Sequence, residues 1–141
     1  MPSFKTTIRV SWADTDAAQV VHFSNFFRFF EKTEEEFYRS LGFNFDQIVS
    51  KYNIWLPRVE AYCQFKKPAK FDNLLEIELT VGEIREKAVK YLFKVRNKGT
   101  AETIAEGYLT VVSASKQTGK AIEIPEELKK QLKFFAADRN P

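Results

Sequence analysis

Trp12-Ala13-Asp14-Thr15-Asp16-Ala17-Ala18-Gln19-Val20-Val21-His22-Phe23-Ser24-Asn25 separates two kinds of periodicity. Before it, Thr6, Ile8, Val10 and Trp12 alternate with Lys5, Thr7, Arg9 and Ser11, the period of two of a half-buried strand. After it, Phe23, Phe26, Phe27, Phe30, Phe37, Tyr38 and Leu41 recur at three- and four-residue steps. Glu31, Lys32, Glu35, Glu36 and Arg39 fall mostly on the other side, so the spacing predicts one long amphipathic helix. Ser24 or Asn25 is expected to cap its start, and Gly42 to end it in a left-handed conformation. The stretch between is a loop that carries Asp14 and Asp16 just ahead of a helix start. Backbone N–H groups there lack intrahelical acceptors and the helix dipole adds positive potential.

Working outward, residues 43–50 read as a short turn or helical piece. Four strand-like runs follow over 55–65, 74–85, 87–96 and 100–113, rich in β-branched and aromatic residues. Their breaks, at Lys67-Pro68, Glu86, Asn97-Lys98-Gly99 and Thr118-Gly119, favour antiparallel hairpins over crossover helices. Ile124-Pro125 opens a last helix, with Glu126 and Glu127 at its positive end. Strand, long helix, then four strands imply an α+β fold of hot-dog type. An antiparallel five-stranded sheet wraps around one long central helix, with a C-terminal helix added. Long strands with uncovered edges favour edge pairing between two copies of the chain.

Composition narrows the function classes. The 141 residues suit a single domain spanning 1–141, and a net charge of +3 without a basic arm argues against nucleic-acid binding. One cysteine, Cys63, excludes an internal disulfide, and one histidine with one cysteine is poor material for zinc; no metal or other cofactor is expected. No stretch reaches membrane-spanning length and the N-terminus lacks the apolar core of a signal peptide, so a soluble cytoplasmic protein is expected, without a membrane partner. The 14 phenylalanines, many of them between Phe23 and Phe45, predict an aromatic core or interface.

The segment Asp14-Thr15-Asp16-Ala17-Ala18-Gln19-Val20-Val21-His22-Phe23-Ser24-Asn25-Phe26 resembles the signature of the 4-hydroxybenzoyl-CoA thioesterase family, roughly D-x-D-x-x-G-[IV]-V-[YHF]-[YFH]-x-[NS]-[YF]. Leu56-Pro57-Arg58-Val59, Pro68-Ala69-Lys70-Phe71-Asp72 and Ile124-Pro125-Glu126 extend the resemblance over nearly the whole chain. It departs at Gln19, where the family usually has glycine; if that position needs a positive φ, glutamine is costly there.

The resemblance implies a hot-dog acyl-CoA thioesterase, a homodimer or homotetramer, acting on a fatty or aromatic acyl thioester of coenzyme A or of an acyl carrier protein. A 1,4-dihydroxy-2-naphthoyl-CoA thioesterase and a non-catalytic acyl-thioester-binding module are the alternatives. It also implies Asp16 as the catalytic carboxylate, attacking directly or activating water, with the backbone N–H of Phe23 as oxyanion donor. Asp14 is expected to shape the loop by accepting backbone bonds. The lone histidine, His22, is a further lining or catalytic candidate. Gln19, Asn25 and Glu60 are candidates for contacting substrate, and Arg85 and Lys87, at a hairpin turn, for the nucleotide phosphates. Strand alternation places Glu60 on one side with Arg58, Tyr62 and Gln64, which predicts a Glu60–Arg58 salt bridge.

Overall fold

The computed structural model describes residues 2–136; Met1 and residues 137–141 of the expected domain lie outside that range. Strand β1 (Phe4–Arg9) is followed by a 3-10 turn at Trp12–Asp14, then α1 (Asn25–Ser40) and α2 (Phe45–Lys51). The strands β2 (Ile54–Trp55), β3 (Arg58–Phe65), β4 (Leu74–Ile84), β5 (Ala88–Asn97), β6 (Thr103–Val112) and β7 (Ala114–Ser115) follow, and α3 (Glu126–Ala136) comes last. Five strands form one antiparallel sheet in the order β1-β4-β5-β6-β3, while β2 and β7 make a separate ribbon. Pro57, which has no N–H to donate, separates β2 from β3, so the single strand expected over 55–65 is split.

Alternation decides the layers. Leu75, Ile77, Leu79 and Val81 on β4, with Val89, Tyr91, Phe93 and Val95 on β5, are buried on one face. Helix α1 lies against that face with Phe26, Phe29, Phe30, Phe37 and Tyr38 buried, because their three- and four-residue spacing puts them on one stripe. The rings of Phe30 and Phe93 stack at 4.4 Å and 5°. Gly107 makes room for this approach, since a Cβ there would collide with the Tyr62 carbonyl and crowd Phe30. Most phenylalanines of α1 are therefore core, and Leu128 and Leu132 of α3 seal the sheet beyond.

The helix ends are informative. Gly42 takes φ +92° after α1, the left-handed conformation expected of it. At the other end neither expected cap forms: Ser24 makes no capping bond, and Asn25 is already helical. The Asn25 amide instead donates to the Asp14 carbonyl at 2.9 Å, tying the helix start back to the acidic loop.

Strands β1 and β3 are the two edges of the sheet, and Val59, Tyr62 and Phe65 are exposed along β3. A bulge interrupts its pairing with β6, so that Arg58 opposes Val111 while Glu60 opposes Thr110. One extra residue reverses the alternation. Arg58 and Glu60 therefore face opposite sides, which corrects the predicted salt bridge between them. Arg58 pairs instead with the fully buried Glu34 at 2.6 Å, and Glu60 accepts from Tyr108 at 3.1 Å and Thr110 at 3.2 Å.

Candidate active site

The acidic loop is built on the end of β1. Its two aspartates have different duties. The Asp14 carboxylate accepts the Ser11 N–H at 2.8 Å, and the Asp14 carbonyl accepts both the His22 N–H and the Asn25 amide at 2.9 Å. Asp14 thus shapes the loop by accepting backbone bonds, as expected, with Oδ1 left without a hydrogen-bond partner among the described residues. Asp16 anchors a tight reversal: its N–H donates to the Val20 carbonyl at 3.0 Å and its carbonyl accepts from Gln19 N–H at 2.8 Å. Its Oδ1 accepts the Ala18 N–H at 2.9 Å, the familiar role of aspartate in turns. Oδ2 has no hydrogen-bond partner among the described residues, and the side chain is exposed.

Gln19 closes the reversal at φ +66°. The loop therefore does need a left-handed residue where the family motif has glycine, and a side chain there costs about 1 kcal/mol. Val21 pins the far side of the loop, its N–H donating to the buried Ala69 carbonyl at 2.8 Å.

Phe23 follows at the turn that leads into α1. Its backbone N–H makes no hydrogen bond among the described residues, and its ring is exposed. Its ring stacks on His22 at 4.6 Å. His22 Nδ1 accepts the Ser24 N–H at 3.2 Å and meets the Ser24 hydroxyl at 2.7 Å. These bonds orient the imidazole locally.

The loop separates two clefts. One, of about 730 Å³, is lined by Trp12, Thr15, Asp16, Gln19, Lys70 and Phe71 among others. The second, of about 400 Å³, is lined by Val21, Phe23, Phe26, Phe65, Lys66 and Pro68 among others. Asp16 and Gln19 thus share a cleft, while Phe23 faces the neighbouring one. Trp12 and Phe71 escape the reading from sequence because alternation carries Trp12 inward. Strand β1 instead ends at Arg9 and the 3-10 turn swings the indole outward.

The remaining candidates lie elsewhere on the protomer. Glu60 and Arg85 meet in a small depression with Glu83, Lys90 and Thr110, lined by neither Asp16 nor Phe23. Arg85 is paired there with Glu83 at 2.8 Å, and Lys87 is exposed in the adjoining turn.

A second carboxylate system, unforeseen in sequence, sits under the sheet. Glu34 is completely buried; Oε1 accepts from Arg58 at 2.6 Å and Oε2 from the Tyr38 hydroxyl at 2.7 Å. The Tyr38 and Tyr91 hydroxyls are 3.0 Å apart. Burial raises the Glu34 carboxyl above its ordinary value, against the opposing pull of Arg58. Its spacing was the available signal: Glu34 stands four residues from both Phe30 and Tyr38, on the apolar stripe.

No group of three or more His, Cys, Asp or Glu among the described residues is arranged to hold a metal, and no described helix is long and apolar enough to cross a membrane.

Comparison with known proteins agrees with this arrangement. The profile of the Thioesterase-like superfamily matches residues 10–132. A provisionally named esterase of Aquifex aeolicus is 32% identical over 125 residues, covering 89% of this chain and 94% of its own. The acyl-CoA thioesterase YbgC of Haemophilus influenzae is 26% identical over 126 residues, covering 89% and 91%. The crystal structure of a gentisyl-coenzyme A thioesterase superimposes with a TM-score of 0.81 at 28% identity, covering 89% of this chain and 99% of that one. The match over nearly the whole chain, on a five-stranded antiparallel sheet wrapped around one helix, places this protein in the thioesterase-like superfamily of hot-dog proteins.

Proposed function

We propose that the protein hydrolyses acyl-CoA thioesters, with Asp16 as the reactive group. One observation carries the assignment. Each loop carboxylate keeps one oxygen without a hydrogen-bond partner among the described residues, but only Asp16 lines a cleft. Asp14, whose Oδ2 accepts the Ser11 N–H, is not among the residues that line that cleft.

In the general-base route, Asp16 takes a proton as water oxygen adds to the thioester carbonyl carbon. The carbonyl oxygen becomes an oxyanion, which the free Phe23 N–H at the helix start stabilises. The C–S bond then breaks, and the departing thiolate receives the proton held by Asp16. In the nucleophilic route, an Asp16 oxygen forms a mixed anhydride and expels the thiolate, and water then cleaves the anhydride. A single turnover in H2-18O tests the nucleophilic route: label in the Asp16 side chain requires an anhydride opened by water at the Asp16 carbonyl carbon, whereas label in the product acid alone arises from direct attack or from an anhydride opened at the acyl carbon.

The substrate lies across the loop, between the Asp16 and Phe23 clefts, with Gln19 and Asn25 beside the reacting carbonyl and His22 flanking it. Arg85 and Lys87 are assigned to the phosphates of coenzyme A, as cations on an exposed turn. Glu60 lies beside Arg85 and is assigned to the same region. The unpaired β3 edge, with Val59, Tyr62 and Phe65 exposed, supports a homodimer joined there.

The test is release of free thiol from a panel of saturated, benzoyl and 1,4-dihydroxy-2-naphthoyl-CoA thioesters and acyl carrier protein thioesters, run beside Asp16→Asn. Turnover that survives this substitution refutes the assignment. Stoichiometric binding without turnover identifies a carrier or sensor instead.

A further inference from the structure

Trp12 is 75% exposed and Phe71 49% exposed, an unusual cost for two large aromatic rings that the core does not use. Their rings meet edge to face, with centroids 5.4 Å apart and planes at 83°. Both are fixed on bonded backbone. The Trp12 carbonyl accepts from the Thr15 N–H and hydroxyl at 3.1 and 2.7 Å. The Phe71 turn is stitched to the end of β1 by Asp72 N–H to the Val10 carbonyl, and by Val10 N–H to the Asn73 carbonyl. The pair lines the same cleft as Asp16, where the neighbours Ala13 and Ala17 are too small to cover the rings.

We propose that Trp12 and Phe71 form a rigid aromatic wall that selects a planar aromatic acyl group over a saturated chain; the inference rests on the reading of Asp16 as the reactive group. A flat acyl group stacks on the indole face and meets the Phe71 edge, gaining ring–ring attraction beyond the buried area. A flexible alkyl chain buries similar surface but must surrender rotational freedom to lie along a flat wall. Because the backbone beneath both rings is held by hydrogen bonds and the rings already meet edge to face, an aromatic guest pays a reduced ordering cost on their side.

The experiment compares kcat/KM for benzoyl-CoA and hexanoyl-CoA in the full-length protein and in Trp12→Ala, Trp12→Phe and Phe71→Ala. Trp12→Ala is expected to lower the benzoyl to hexanoyl ratio roughly tenfold, mostly through KM for benzoyl-CoA, with Trp12→Phe restoring most of it. A second readout needs no turnover. In a Trp55→Phe background Trp12 is the sole tryptophan, and the inert thioether S-phenacyl-CoA should quench its fluorescence more strongly than S-hexyl-CoA. An unchanged ratio in Trp12→Ala, equal quenching by the two thioethers, or a change of oligomeric state in Trp12→Ala at unchanged ratio overturns the wall. A shifted ratio together with an active Asp16→Asn variant leaves the wall standing and removes only Asp16 from its assigned role.

Discussion

The two acids that bracket the first part of α1 live in opposite worlds. Asp16 stands in an exposed turn with one carboxylate oxygen bonded and the other free, whereas Glu34 is fully buried with both oxygens engaged. An acid can act on a substrate only if it keeps a lone pair and a path to it. An acid whose oxygens are both spent on Arg58 and Tyr38 can only hold structure. The turn around Asp16 is also strained at Gln19, while no buried side-chain polar atom among the described residues lacks a partner. Unsatisfied capacity thus sits in the loop, and saturation in the core, as expected when a rigid scaffold carries a reactive segment.

Four substitutions break or sharpen this contrast. Asp16→Asn is expected to lower kcat/KM by about 10²- to 10⁴-fold, while steady-state thermal unfolding barely moves, because the amide oxygen still accepts from Ala18. Arg58→Ala does the reverse. Removing the partner of a buried carboxylate should cost about 3–5 kcal/mol in urea unfolding, with activity falling only as far as the folded fraction falls.

Glu34→Gln tests the pH behaviour of the buried site. Because burial raises the folded carboxyl value above its ordinary 4.5, the native state holds this proton more tightly than the unfolded chain. The resulting stabilisation is complete below the unfolded value and is lost as pH rises through the folded value, with a slope of up to about 1.4 kcal/mol per pH unit. Urea unfolding between pH 4 and 8 should show that decline in the parent protein and lack it in Glu34→Gln. The smallest effect belongs to Gln19→Gly: relief of the φ +66° conformation, offset by a more flexible unfolded chain, should stabilise by no more than about 1 kcal/mol. A chemical-denaturation midpoint that drops instead would show that the Gln19 side chain holds the turn together.

Much of the fold was legible in the chain because it depends on local periodicity. Thr6, Ile8 and Val10 announced a strand, the phenylalanine stripe announced α1, and Gly42 and Pro125 marked boundaries that the backbone respects. The loop text was legible too, down to a left-handed position at residue 19. Failures came where one element's local pattern meets another's. Trp12 continues the strand alternation in sequence, but the chain has already turned. Arg58 shares a parity with Glu60 in sequence, but the bulge reverses it.

The sequence by itself determined the order of the main elements and the architectural share of Asp14, since both reside in short-range spacing, and its loop motif carried the resemblance to the family. Only the tertiary structure decided that Glu34 and Arg58 meet under the sheet, that Asp16 and Phe23 face neighbouring clefts, and that Trp12 joins Phe71 beside Asp16. Each of these joins residues from separate elements. Which of them touch is set by strand register, bulges and the packing of α1 on the sheet, and no local period encodes those.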